Sequence, residues 1–212
     1  MAARGMVAAS TTYRLLGKQA ESVLDCMSDS RAAIRWLRAQ ADELRFDPTQ
    51  LVVAGGSAGT NLAANAAIRV GDEPDAVAQE SRPDALVLFS PAVVRPMAKE
   101  DLIDEQLYAQ LQPRSGLPPM LLLHAMEDEI FALNALQHFC EEMNATGNLC
   151  VLQLYPQGKH GFFNYGREEN RPFYETMIRV EQFLGHLGML HGGSILSEEL
   201  TQLLREEDDW SL

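Results

Sequence analysis

The sequence predicts an α/β fold with a mostly parallel sheet and helices on both faces. Three observations lead there. Short apolar runs alternate with longer stretches patterned at helical spacing. The runs are solidly apolar rather than alternating, as in strands buried on both sides of a parallel sheet. One of them ends in a G-x-S-x-G turn that opens directly into an alanine-rich stretch.

The elements follow in order. Met6–Tyr13 reads as a strand. Residues from about Asp25 to Leu44 read as a helix, with Ile34, Leu37, Ala41 and Leu44 on one stripe. Asp47-Pro48 closes it, because a residue before proline avoids the helical region. Leu51–Ala54 is a buried strand running into Gly55-Gly56. A helix from about Ala58 to Arg69 follows, with Leu62, Ala63, Ala66 and Val70 on its inner face. Ala85–Ser90 is the next strand. An irregular stretch from about Pro91 to Pro119 includes a charged segment around Lys99–Gln112. Met120–His124 is a strand. Phe131–Asn144 is a helix with Leu136, Phe139, Cys140 and Met143 on one face, stopped by Gly147. Leu149–Tyr155 is a strand. Pro172 opens the last long helix, whose stripe is Phe173, Met177, Val180, Leu184 and Leu187. There is no internal repeat.

Composition narrows the function. The 212 residues are 46% hydrophobic and 22% charged, which fits one globular domain. With 17 basic against 30 acidic residues the formal charge is −13. That argues against nucleic acid and anionic membrane as partners, since both select basic patches. No apolar run approaches the roughly 20 residues of a spanning helix. The first ten residues lack the basic end, apolar stretch and cleavage site of a signal peptide. The three cysteines, Cys26, Cys140 and Cys150, form no CxxC and no disulfide framework; they read as buried small hydrophobes. The tail from about Ser194 to Leu212 carries six acids and one base, Arg205. It reads as a frayed acidic tail, with a docking helix bearing Ile195, Leu196, Leu200, Leu203 and Leu204, or the start of a linker, as the alternative.

Ligands in such folds sit at the carboxyl ends of the strands, so chemistry is sought there. Three strand ends carry three complementary residue types. In Gly55-Gly56-Ser57-Ala58-Gly59 the turn between strand and helix strains Ser57 and presents its hydroxyl. Gly55 and Gly59 avoid collisions with the neighbouring elements. The Ala58 N–H faces a developing oxyanion at the positive end of the helix. A phosphate-binding G-x-G-x-x-G is not met. After Met120–His124 come three competing carboxylates, Glu127, Asp128 and Glu129, one of which would hold a histidine in a single tautomer. After Leu149–Tyr155 comes His160, between flexible residues, able to take a serine's proton near neutral pH. His138 and His186 lie within helices, His191 lies near the tail, and His124 at a strand end reads as structural. Serine, then acid, then histidine is the chain order of the α/β-hydrolases.

Longer motifs carry a resemblance. Gly55–Ala63 resembles the elbow of α/β-hydrolase esterases in the acetylesterase, carboxylesterase and lipase-like group, which includes acetylxylan and feruloyl-esterase-like proteins. Asp29–Arg38 is similar to the helix before that elbow. Gly116–His124 with Asp128 resembles the family's acid strand, in which the acid follows the strand-end histidine by four. That resemblance selects Asp128. Lys159–Asn164 resembles the histidine loop. The likeness runs from about Arg4 to Leu190, leaving 191–212 as a separate tail. Two small departures are Ala125, where the family has glycine, and Thr12, where it has Asp or Asn.

The larger departure is where the likeness begins. Arg4–Tyr13 matches the family's fourth strand, so three strands and an H-G-G-G-type oxyanion loop would lie upstream. His191-Gly-Gly-Ser194 resembles that loop at the wrong end and is a decoy. The expectation is therefore an N-terminally truncated α/β-hydrolase fold. Its open sheet edge would be covered by Met6–Tyr13 or by a second copy in a homo-oligomer. What the resemblance implies is a serine esterase acting through Ser57, Asp128 and His160 on small or carbohydrate-borne esters, with no metal and no cofactor. The short Pro91–Pro119 stretch implies an open site and small acyl groups. Two other readings are a non-catalytic fragment and a serine peptidase of the prolyl-oligopeptidase type.

Overall fold

A computed structural model describes residues 1–68, 79–97, 108 and 111–192 of the chain. They fall into two compact units: Ala9–Phe162, and Met1–Ala8 with the described residues of Phe163–Leu212. The charged segment expected around Lys99–Gln112, Arg69 and Val70 of the second helix, and the acidic tail lie largely or wholly outside the described residues.

In Ala9–Phe162 the four apolar runs form β1 (Val52–Gly56), β2 (Ala85–Phe89), β3 (Met120–Ala125) and β4 (Cys150–Tyr155). They pair in the order β1-β2-β3-β4, all parallel. Parallel pairing needs a long crossover between strands, and the helical stretches of the sequence supply them. The helices of this unit are α1 (Val23–Ala39), α2 (Ala41–Leu44), α3 (Ala58–Ile68) and α4 (Leu133–Ala145). Leu86, Leu88, Met120 and Leu122 form one core with Ala63, Ala64, Ala67 and Ile68 of α3 and Leu136, Phe139, Cys140 and Met143 of α4. Val87, Leu121 and Leu123, on the opposite side of the same strands, are buried as well. A strand buried on both sides has no use for polar residues, which explains the solid apolar runs.

α3 is buried all round, because α1 packs on one side of it and β1 and β2 on the other. A helix in that position is made of small and apolar residues. The expected single helix over Asp25–Leu44 is broken at Gln40 into α1 and α2. Arg45, in the left-handed region, then ends α2 two residues before Asp47-Pro48. Asp84, just before β2, ties these elements together. It accepts the Leu51 N–H at 2.9 Å and the Arg38 guanidinium at 3.0 Å.

Met6–Tyr13 is not a strand. The segment makes no ladder, and Val7 to Thr12 are exposed. A strand exists only through a partner, and among the described residues β1 pairs with β2 alone. Met6–Tyr13 therefore does not take up the open side of β1, contrary to the regrouping expected from its residues. What fixes the chain just after it is Arg14. Its backbone N–H and guanidinium both bind the Asp29 carboxylate, and it also reaches the Asp25 carbonyl. The Arg14 contacts hold the Asp29 carboxyl below its ordinary pKa; Asp25 is lowered chiefly by the Ser22 and Glu21 N–H groups.

In the second unit Pro172 lies in the first turn of α5 (Arg171–His186), as expected, and Val180, Phe183 and Leu184 are buried. Arg4 pairs with Glu181 at 3.2 Å. Cys26, Cys140 and Cys150 are buried and free. Among the described residues no helix is long and apolar enough to cross a membrane.

The outer edge of β4 is capped by a side chain. Gly147 and Asn148 close α4 with the 5→2 and 6→1 hydrogen bonds that follow a left-handed glycine. This leaves Asn144 against β4, donating from Nδ2 to the Cys150 carbonyl at 3.0 Å and accepting the Cys150 N–H at 2.9 Å. One amide thus does what a fifth strand would do at that residue. Asn144→Ala is expected to lower stability by about 1–2 kcal/mol in urea unfolding. Asn144→Asp, which sets a carboxylate against the Cys150 carbonyl, is expected to cost at least as much.

Candidate active site

β1 ends at Gly56 and α3 begins at Ala58, so Ser57 alone makes the turn. Its φ is 51°, in the left-handed region. A side-chain-bearing residue there costs about 1–3 kcal/mol and persists only when its surroundings dictate it. They do so from both ends. The Ser57 N–H donates to the Phe89 carbonyl at 2.9 Å, and the Ser57 carbonyl accepts the Thr60 N–H at 2.9 Å and the Thr60 hydroxyl. Thr60 Oγ1 in turn accepts the Ala92 N–H at 2.7 Å, and Asn61 Nδ2 donates to the Ala92 carbonyl at 3.0 Å. The chain leaving β2 is thereby pinned to the first turn of α3.

Gly55 has to be glycine: a Cβ there would stand 2.5 Å from the Gly59 carbonyl carbon and 2.8 Å from the Thr60 nitrogen. The expected collision at Gly59 is not found, since a Cβ there would meet nothing within 4 Å. Its backbone is instead the surface that Gly55 approaches. Gly56 is the last residue of β1, opposite Phe89. Ala58 opens α3, and its N–H belongs to the first turn, whose donors have no acceptor within the helix.

Asp128 is separated from its neighbours by burial. Glu127 and Glu129 are exposed, and Glu129 pairs with Lys159 at the surface. The Asp128 side chain is 0% exposed. Its Oδ1 accepts the N–H groups of Ile130 at 2.8 Å and Phe131 at 3.2 Å, which hold the carboxylate in one orientation. Its Oδ2 lies 2.9 Å from His160 Nδ1. His160 Nε2 lies 2.7 Å from Ser57 Oγ. A carboxylate only accepts, so Nδ1 carries the imidazole proton and Nε2 faces the serine hydroxyl as acceptor. The Phe131 ring stands 5.8 Å from that of His160. The three residues come from the ends of β1, β3 and β4, brought to one side of the sheet by the parallel order.

The histidine loop is tight. Gly158 and Gly161 both have positive φ, and the Phe162 N–H donates to the Lys159 carbonyl at 2.9 Å. Phe162 is buried against Tyr155. A residue that sequence reasoning missed also holds this loop. Ser90 follows β2, is wholly buried, and has φ 47°. Its N–H donates to the Leu123 carbonyl at 2.9 Å, and its Oγ accepts the Gly161 N–H at 3.3 Å. Its place at a strand end on the same sheet edge was the available signal. The strain and the Gly161 contact have no sequence signature.

His138, His186 and His191 are exposed. His124, expected to be structural, is wholly buried at the end of β3. Among the described residues no three His, Cys, Asp or Glu side chains are arranged to hold a metal ion. Of the His191–Ser194 decoy, Gly193 and Ser194 lie outside the described residues.

Known proteins resemble this chain in sequence and fold. Residues 2–113 match a family described as the alpha/beta hydrolase fold. The chain is 25% identical over 197 residues to the probable carboxylic ester hydrolase LipM of Mycobacterium tuberculosis, covering 80% of this chain and 45% of that protein. It is 26% identical over 155 residues to an acetylxylan esterase of Xylanibacter ruminicola, covering 64% and 31%. It thus spans about half or less of the length of these curated relatives. Among solved structures, the apo form of esterase 2 from Thermogutta terrifontis superposes with a TM-score of 0.72 at 33% identity, covering 86% of this chain and 72% of that one. The parallel strand order, the left-handed Ser57 turn between β1 and α3, and these likenesses have one common reading: the chain belongs to the α/β-hydrolase fold family.

Proposed function

We propose that this chain is a serine esterase that hydrolyses short-chain carboxylic esters through Ser57, His160 and Asp128. The observation that carries the reading is the unbroken hydrogen-bond chain from Asp128 Oδ2 through both His160 nitrogens to Ser57 Oγ. Ser57 Oγ attacks the ester carbonyl carbon while its proton passes to His160 Nε2. The buried Asp128 carboxylate stabilises the imidazolium that forms. The oxyanion is held by the Ala58 N–H at the positive end of α3. His160 returns the proton to the leaving alkoxide, and water, deprotonated by the same imidazole, cleaves the acyl-enzyme.

Small acyl groups, acetyl foremost, are the proposed substrates. Relatives include a protein named as an acetylxylan esterase, and the Thermogutta esterase has been solved with propionate and with butyrate bound. That same enzyme has also been solved phosphonylated by sarin, which recommends an organophosphorus probe. One observation favours the second reading, a folded but inactive hydrolase chain: among the described residues β1, which leads into Ser57, is an edge strand. Loss of a single oxyanion donor slows such chemistry about 100- to 1000-fold, so support around that edge matters to rate.

The test is fluorophosphonate labelling alongside turnover of p-nitrophenyl acetate, butyrate and octanoate. Wild type is expected to label and to prefer acetate or butyrate. Ser57→Ala is expected to lose all labelling and to drop kcat by about 10⁴-fold or more. A well-folded wild type that neither labels nor turns over would establish the inactive reading. Ser90→Ala, which removes one hydrogen bond to Gly161 but leaves the three reacting residues in place, is expected to lower kcat about tenfold with little change in KM. Steady-state kinetics with p-nitrophenyl acetate check this.

A further inference from the structure

His124 is the one imidazole near the reacting residues that the proposed chemistry leaves without a task. It is wholly buried at the end of β3, and neither ring nitrogen has a hydrogen-bond partner. Burying a polar group unpaired is costly, so its position asks for a reason. Its Nδ1 lies 3.8 Å from Asp128 Oδ2, the same oxygen that His160 Nδ1 meets at 2.9 Å.

Counting lone pairs on Asp128 gives the reason. Oδ1 is filled by the Ile130 and Phe131 N–H groups. Oδ2 has two acceptor directions and His160 takes one. We propose that His124 is a positioning residue for Asp128, a neutral imidazole whose Nδ1–H is directed at the second lone pair of Oδ2. The inference rests on the esterase reading, because Asp128 needs fixing only if His160 must change its charge during turnover. The distance is too long for a full hydrogen bond at rest; the contact acts through its dipole.

His124 also has to stay uncharged. A cation 3.8 Å from Oδ2 would compete with the His160 imidazolium for one carboxylate. Burial pushes the His124 pKa below that of an ordinary imidazole; Asp128 pulls the other way and His160 adds to the depression. These two are the titratable groups that act on it. The carboxylate is thus shared between two imidazoles, and burial reserves its charge for His160.

Asn places an amide N–H where His has Nδ1, Gln places one near Nε2, and Leu has none. The three variants of the full chain are compared by the pH dependence of kcat with p-nitrophenyl acetate, with fluorophosphonate titration counting competent sites. Removing the Nδ1 donor leaves Oδ2 more basic, so the imidazolium of His160 is held more firmly. His124→Leu and His124→Gln are therefore expected to move the acid limb to higher pH by about half a unit and, because Asp128 is then less firmly oriented, to lower kcat by roughly threefold to tenfold. His124→Asn is expected to restore the wild-type limb. A role in packing alone would lower stability without moving the limb. Coincident limbs in an active wild type and in Gln and Asn variants would overturn the proposal. If His124→Leu does not fold, the Asn–Gln comparison decides alone. A wild type that neither labels nor turns over would instead overturn the esterase reading, and this inference with it.

Discussion

The last rung of the β1–β2 ladder, from the Ser57 N–H to the Phe89 carbonyl, holds the site together. It fixes the backbone at the point where strand becomes helix. With the Thr60 contacts to the Ser57 carbonyl, it leaves the chain no alternative to a left-handed turn. The side-chain direction of Ser57 follows from that turn, and so does the start of α3. Parallel register does the rest. Because β1, β2, β3 and β4 run the same way, the residues that leave them come out side by side.

The site is built by burial as much as by proximity. Asp128 is stripped of water and given two backbone donors and one imidazole, while the acids on either side stay in solvent. Ser57 and His160 keep partial access to solvent. A charge kept dry at one end and a hydroxyl kept open at the other is the polarity that the proposed acyl transfer requires. Ser90 and Ser57 share an unusual trait, positive φ just past a strand. Both are held by a carbonyl from the next strand, Leu123 in one case and Phe89 in the other. The strain is repeated because the job is repeated: each turns the chain sharply at the same sheet edge.

Much of this was legible in the residues. The four buried strands and their order along the chain follow from solid apolar runs, and Ser57 and His160 from their places after two of them. Asp128 was not legible from pattern, since three adjacent acids differ only in which one faces inward. Motif resemblance singled it out, and its burial gives the physical reason. Met6–Tyr13 failed because strand propensity is a statement about fit to a partner, and the segment has none. The break at Gln40 was hidden because the apolar stripe continues across it. Collisions were expected at both Gly55 and Gly59 and only the one at Gly55 is found, since which of two facing glycines would carry the offending Cβ depends on backbone direction. Ser90 and His124 act through register and burial, which no single window of sequence displays.

The two margins of the sheet are finished differently. Beyond β4, Asn144 occupies both polar groups of Cys150. Beyond β1, Ala54 and Gly56 are exposed, uncharged and without bulk. Any strand added at β1, from whatever source, would run along the residues that lead to Ser57, and its end would lie beside that residue. On that margin, a change in what covers β1 is also a change in the surroundings of Ser57.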